Sequence, residues 1–308
     1  MDENKTHDLI IIGAGPAGLS ASVYASRYGI QHVVIGSLLG GQISETHLID
    51  NYLGIEDATG FDFSQRIGKH AQKYGVEIVP AKVNKIEKEN AQFNLELEGG
   101  KKITAKTILL ATGTKRKNLG VPGEEEFLGK GVSHCATCDG FFYKNKTVAV
   151  IGGSDSAAGA AVYLADIAEK VYLVYRKENL RCEPFWQKLI EQNTKIEVVY
   201  NTNLTEITGQ GKVEKINLDT EYKNSSEIKV DGAFIEIGSD PNIDFAKDLN
   251  LAVDEKNYIQ IKSDGATSVA GVWAAGDTTN GSDKFRQVIT AAAEGAIAAR
   301  SIFNYLKK

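Results

Sequence analysis

The chain has 308 residues, 42% of them hydrophobic and only 5 of them proline, so it is long enough for about two domains with full cores. Its formal net charge of -5, with no Lys/Arg block, excludes a general nucleic-acid binder tracking a phosphate backbone. No apolar run approaches the ~18 residues that span a bilayer, so no membrane association is expected. The 3 cysteines are too few for a disulfide framework, and a reducing, cytoplasmic setting is expected. The opening Met1-Asp2-Glu3-Asn4-Lys5 is polar, without a secretory n-region and apolar core. The triplets at Asn4, Asn145 and Asn203 match the glycosylation pattern but lack that secretory context.

Residues 8–12, Asp8-Leu9-Ile10-Ile11-Ile12, are an apolar run suited to a buried parallel strand. Gly13-Ala14-Gly15-Pro16-Ala17-Gly18 follows, then a helical stretch to about residue 28 with Gly29 as its stop, then the strand Val33-Val34-Ile35. This strand–turn–helix–strand context makes the turn a dinucleotide fingerprint. Gly13 serves the tight turn, Gly15 lets a pyrophosphate approach the backbone, and Gly18 lets helix pack on strand. Phosphate oxygens then meet the free N–H groups of the helix start. The acidic ribose ligand usual after the second strand is missing, since Gly36 and Ser37 stand there. Gly40-Gly41-Gln42 makes a further loop that a ligand can approach closely.

Further along, Cys135-Ala136-Thr137-Cys138 is followed by Asp139. A bridge between these cysteines closes too short a ring to stabilise a fold much. It suits electron transfer better, with the neighbouring acid supplying the proton that thiol chemistry needs. His134 reads as a surface hydrogen-bonding residue of a polar loop rather than a catalyst. The fingerprint pattern then repeats. Thr147-Val148-Ala149-Val150-Ile151 is a strand, Gly152-Gly153-Ser154-Asp155-Ser156-Ala157 a turn, and the helix runs to about residue 167. The strand at residues 171–175 is followed by Arg176, Lys177 and Arg181, cations placed where a 2′-phosphate is met, so this nucleotide is expected to be NADPH rather than NADH. Cys182 is expected to be a small buried thiol. Near the C-terminus Gly271-Val272-Trp273-Ala274-Ala275-Gly276-Asp277 ends a strand in a carboxylate suited to a sugar or ribitol hydroxyl. The helix expected over residues 286–305 starts close behind, with its dipole directed at any reduced ring bound there.

These residues resemble the low-molecular-weight thioredoxin reductases, FAD-containing pyridine-nucleotide disulfide oxidoreductases, over essentially the whole chain. The first fingerprint, Gly13 to Gly18, looks like the family's FAD turn. Gly40-Gly41-Gln42 and Asp50-Asn51-Tyr52 look like its flavin-contacting loops, and Ala111-Thr112-Gly113 like its domain crossing. Cys135 to Gly140 is similar to its redox motif, and Ala275-Gly276-Asp277 with Arg286-Gln287-Val288 to its C-terminal flavin site.

The resemblance implies an α/β fold of two Rossmann-like, three-layer ββα nucleotide-binding domains, the second inserted in the first. An FAD domain would comprise residues 1–117 and 245–308, and an NAD(P)H domain carrying the CxxC pair residues 118–244. The turns at Thr112-Gly113-Thr114 and Gly238-Ser239-Asp240-Pro241 would be the crossings. The implied activity is thioredoxin-disulfide reductase: electrons pass from NADPH through FAD to the Cys135–Cys138 disulfide and on to thioredoxin. Cys138 would be the flavin-proximal sulfur, Cys135 the attacking thiolate and Asp139 the general acid. The inserted domain would turn between half-reactions, and the protein would be a homodimer.

The NADPH half departs from the family pattern. Its Gly-x-Gly-x-x-Ala reads Gly152-Gly153-Ser154-Asp155-Ser156-Ala157, and its His-Arg-Arg-x-x-x-Arg reads Tyr175-Arg176-Lys177-Glu178-Asn179-Leu180-Arg181. Lys177 keeps the charge but not the fork geometry of arginine. A ferredoxin- or other donor-linked reductase, or a dithiol oxidase, is therefore an alternative on the same scaffold. A zinc or regulatory module using His134, Cys135 and Cys138 lacks the second ligand pair that structural zinc sites use, and no metal is expected.

Overall fold

The structure, a computed structural model, describes residues 6–308. The polar opening and the triplet at Asn4 lie outside the described residues. Helices form at α1 (Pro16–Arg27), α2 (Gly60–Gln72), α3 (Ala136–Asp139), α4 (Asp155–Ile167), α5 (Pro184–Gln192) and α6 (Val288–Leu306). The chain folds as two compact units: one runs up to Lys115 and resumes over Asp240–Lys308, and the other is the insert Arg116–Ser239.

In the first unit the sheet has the lateral order Ile78–Val79, His32–Ile35, Thr6–Ile12, Lys102–Leu110, Gln92–Leu97, Val83–Glu89, with Val272–Ala274 also paired to Lys102–Leu110. The strands Thr6–Ile12, His32–Ile35, Lys102–Leu110 and Val272–Ala274 pair in parallel; Gln92–Leu97 and Val83–Glu89 add an antiparallel meander. The apolar run at residues 9–12 is buried on both faces, as parallel strands require. Leu9 and Ile11 pack with α1 and α6 residues such as Ala21 and Ala298. Ile10 and Ile12 pack on the other side with Ile86, Leu95 and Ile259. α1 starts on Pro16, whose missing N–H costs nothing at a first turn, and Gly29 follows its end at φ +73°. α6 lies so close to α1 that a Cβ on Gly295 would come within 2.0 Å of the Ala17 carbonyl oxygen.

The second unit repeats the plan. Its parallel sheet has the order Ile196–Val199, Lys170–Val174, Thr147–Ile151, Gly232–Ile235, Val132–Ser133. Val148 and Val150 pack with α4, while Ala149 and Ile151 face the antiparallel strands Leu204–Thr208, Lys215–Tyr222 and Ser225–Lys229. Each unit is thus a three-layer α/β arrangement of Rossmann type.

The breaks fall at Lys115/Arg116 and Ser239/Asp240, where the sequence places them after 117 and 244. The residues just past Ser239 are claimed by the first unit: Asn242 N–H donates to Gly113 O at 3.1 Å, and Lys115 pairs with Asp244 at 2.6 Å. The crossing segments Thr114–Arg116 and Ser239–Pro241 pair with each other as a two-stranded ribbon.

Candidate active site

In the insert, the extended Cys135 caps α3. Its sulfur accepts the backbone N–H of Cys138 at 3.2 Å, and its own N–H donates to Ser133 Oγ at 3.0 Å. Cys135 and Cys138 form a disulfide with Cα atoms 5.3 Å apart. Cys135 is half-buried and Cys138 exposed. Asp139 ends α3, and its charge reaches Tyr143, whose phenol burial pushes up and Asp139 and Asp231 raise further. His134 is half-buried rather than a surface residue. Its Nε2 lies 3.9 Å from Glu124, whose carboxylate accepts the N–H groups of Leu119 and Gly120.

The second fingerprint is in the same unit. Gly152 has φ +149°, and Ser154 stands just ahead of α4 without a side-chain hydrogen bond to the helix backbone, its Oγ 3.2 Å from Ser156 Oγ. Ala157 is fully buried against the sheet. Arg176, Lys177 and Arg181 are exposed, and among the described residues none of them is in an ion pair. Cys182 is buried and free as expected, its thiol pushed up by burial and then by Asp155.

In the first unit, Gly13 has φ +117°, and a Cβ there would come within 2.0 Å of the Ala111 carbonyl oxygen. A Cβ on Gly18 would come within 1.9 Å of Gly13 O, so strand, turn and helix close only on glycine. Gly15 meets nothing nearer than the Gly40 oxygen at 3.7 Å, which leaves its face open to a ligand. Gly36 packs on the turn, where a Cβ would come within 2.6 Å of Ala14 N; this contact accounts for the absence of an acid there. Gly40 N–H donates to Ala14 O, and a Cβ on Gly41 would lie 3.4 Å from Gly15 Cα, so the second loop is fastened beside the first. Gln42 donates to Thr114, and Asn51 donates to Gln287 at 3.0 Å.

The C-terminal part of the site differs from expectation in one respect. α6 begins at Val288, so Arg286 lies ahead of it and Gln287 is its cap, in a reciprocal box with Thr290. Arg286 stacks over the ring of Tyr258 at 4.0 Å, and its buried Nε has no protein partner. Burial pushes the Asp277 carboxyl up, while Arg286 draws it down and Glu294 raises it. Glu294 accepts from Gly276 N–H at 2.7 Å, from Thr279 Oγ at 3.3 Å and from Ser282, fixing the loop that carries Asp277. Tyr258 and Glu294 escaped the sequence reading; a lone carboxylate inside the alanine-rich stretch 291–299 was the only signal for either. An open glycine cradle, a desolvated carboxylate and an orphaned guanidinium N–H are groups that a dinucleotide with ribose and ring polar atoms would satisfy, so this set fits FAD.

Against known proteins, the chain belongs to the pyridine nucleotide-disulphide oxidoreductase family, which it matches over residues 7–295. It is similar to the thioredoxin reductase of Bacillus subtilis (strain 168), 38% identical over 311 residues that cover 100% of this chain and 97% of that one. The thioredoxin reductase of Helicobacter pylori (strain J99 / ATCC 700824) is 39% identical over 309 residues, covering 97% and 99%. The crystal structure of T. acidophilum thioredoxin reductase matches with a TM-score of 0.93 at 35% identity, covering 99% of this chain and 100% of that one.

Proposed function

We propose that the chain is a thioredoxin-disulfide reductase that takes electrons from NADPH, with FAD as its bound cofactor, and delivers them through Cys135 and Cys138 to thioredoxin. The observation that carries this reading is the Cys135–Cys138 disulfide at the start of α3, followed by Asp139, in the unit that also holds the second fingerprint. FAD, when bound, supplies the exchange between a two-electron hydride donor and a dithiol. After reduction the Cys135 thiolate keeps the Cys138 N–H as donor and attacks one sulfur of the partner's disulfide. That forms a mixed disulfide and releases a partner thiolate, which takes a proton from Asp139. The Cys138 thiol then passes its proton to the Asp139 carboxylate and attacks Cys135, which restores the internal disulfide, re-protonates Asp139 and frees the second partner sulfur as a thiolate. Phe141 and Phe142, 73% and 70% exposed directly after the motif, offer the partner an apolar landing beside the sulfurs.

Gly13, Gly15, Pro16, Ala17, Gly18, Gly41, Gln42, Asn51, Asp277, Arg286, Gln287 and Val288 are assigned to FAD. Gly152, Ser154, Asp155, Ser156, Ala157, Arg176, Lys177 and Arg181 are assigned to NADPH, Asp155 through its hold on the Glu183 N–H. The sulfur pair and the NADPH fingerprint share one unit and the flavin fingerprint lies in the other, so turning of the insert about its two crossings would serve the two half-reactions in turn. Tyr24, Ile289 and Ile297, exposed on α1 and α6, support a homodimer. Among the described residues no helix is long and apolar enough to cross a membrane, and the cytoplasm is the proposed location.

Anaerobic stopped-flow tests the reading. NADPH should bleach the flavin of the purified protein, the reduced enzyme should then reduce thioredoxin, and Cys138→Ser should abolish that turnover. A flavin bleached by reduced ferredoxin but not by NADPH would overturn the donor assignment; full turnover by Cys138→Ser would overturn the whole.

A further inference from the structure

The turn of the second fingerprint and the basic segment after the next strand are fastened together without any ligand. Asp155, the first residue of α4, accepts the backbone N–H of Glu183 on Oδ1 at 2.7 Å. Gly153 accepts the backbone N–H of Arg181 at 2.8 Å. At the segment's start Tyr175 is buried with its ring against Gly153, where a Cβ would come within 2.5 Å of it. Cys182, between the two fastened N–H groups, is buried in the core beneath α4. Residues 175–183 therefore leave the turn and return to it, and hold Arg176, Lys177 and Arg181 on an exposed arc between fixed ends. A carboxylate is an acceptor only and has no hydrogen bond to give a phosphate. Asp155 is thus ill suited to bind the nucleotide directly and well suited to the task it has.

We infer that Asp155 is a positioning residue for nucleotide selectivity. By holding Glu183 it sets the distance between the fingerprint turn, where a pyrophosphate binds, and the three cations, where a 2′-phosphate binds. The inference rests on the NADPH reading above. A segment already ordered loses little freedom when the nucleotide arrives, so the anchor favours the ligand that uses the cations and is neutral toward one that lacks the extra phosphate.

Isothermal titration of the oxidised holoenzyme with NADP+ and NAD+ tests it. Asp155→Ala should weaken NADP+ about tenfold and NAD+ less than about twofold, the loss of one charge-assisted hydrogen bond. Asp155→Asn, which keeps an acceptor oxygen, should restore the ratio. Glu183→Pro should reproduce the loss from the donor side, because Glu183 already has the φ of -57° that proline's ring fixes, and proline removes the N–H that Asp155 holds. An unchanged NADP+/NAD+ ratio in both Asp155→Ala and Glu183→Pro, including equal weakening of the two nucleotides with a lowered Tm, overturns the inference and leaves the NADPH reading intact. Wild-type protein that binds NADP+ no better than NAD+ overturns both.

Discussion

At Cys135 the sulfur receives a backbone N–H and the residue's own N–H is held by Ser133, so a negative charge formed there on reduction finds its donor already in place. A hydrogen bond to a charged group contributes roughly 1.5–3 kcal/mol, enough to raise the thiolate fraction about tenfold. Alkylation of the reduced single variants by iodoacetamide at neutral pH should therefore be about tenfold faster in Cys138→Ser, which leaves Cys135, than in Cys135→Ser. Equal rates would mean that the cap does not survive reduction. The CxxC spacing was plain in the sequence, because two cysteines and an acid in five residues have few other uses. The inequality between the sulfurs was not, because it comes from the extended backbone at Cys135 and its capping of α3, which the residue types alone do not dictate.

At the scale of elements, both fingerprints and their strands were legible because they combine two signals: apolar runs for strands buried on two faces, and glycines where backbone must touch backbone. What escaped was the support behind the site. Glu294 sits two turns into α6, yet holds the loop after the strand Val272–Ala274 by three hydrogen bonds that join residues 12 to 18 positions apart. No local pattern encodes such a link. Likewise the capping box at Gln287 moves the start of α6 past Arg286 and frees that side chain to stack on Tyr258. Glu294→Ala leaves Gly276 N–H without its acceptor and should weaken FAD by about tenfold, read as flavin fluorescence released on dilution. Glu294→Gln, which keeps one acceptor oxygen and gains a donor, should fall between the two. Full flavin retention by Glu294→Ala would show that the loop is held by other contacts.

On the scale of the whole molecule, the two units answer acid differently. In the first, His32 is hydrogen-bonded to Ser22 and Ile30 O, and burial with neighbouring His7 lowers its pKa below the ordinary 6.5. A histidine whose folded pKa is lowered gives stability that is complete above about 6.5 and is lost as pH falls through the folded value. In the second unit, Glu197 is held at about 2 by hydrogen bonds from Lys170, Lys223 and Tyr222. Its contribution is complete above the ordinary 4.5 and is lost only as pH falls through about 2. The raised Asp277 carboxyl acts in the opposite sense, so the share of His32 is read by difference: calorimetry between about pH 7 and pH 5 should show the Tm of wild type losing more than that of His32→Asn. An equal pH dependence of Tm in wild type and His32→Asn would remove His32 as a cause.

The ribbon formed by Thr114–Arg116 and Ser239–Pro241 has a consequence for the insert as a unit. The host's strands Lys102–Leu110 and Val272–Ala274 pair across the interruption, residue 108 against 272. Because the cassette begins and ends on neighbouring threads, its length adds only a slowly growing logarithmic penalty to closing that host register. An insert joined to its host through such a seam can be exchanged as a whole, sulfur pair and second fingerprint together, while the host keeps its own strand register.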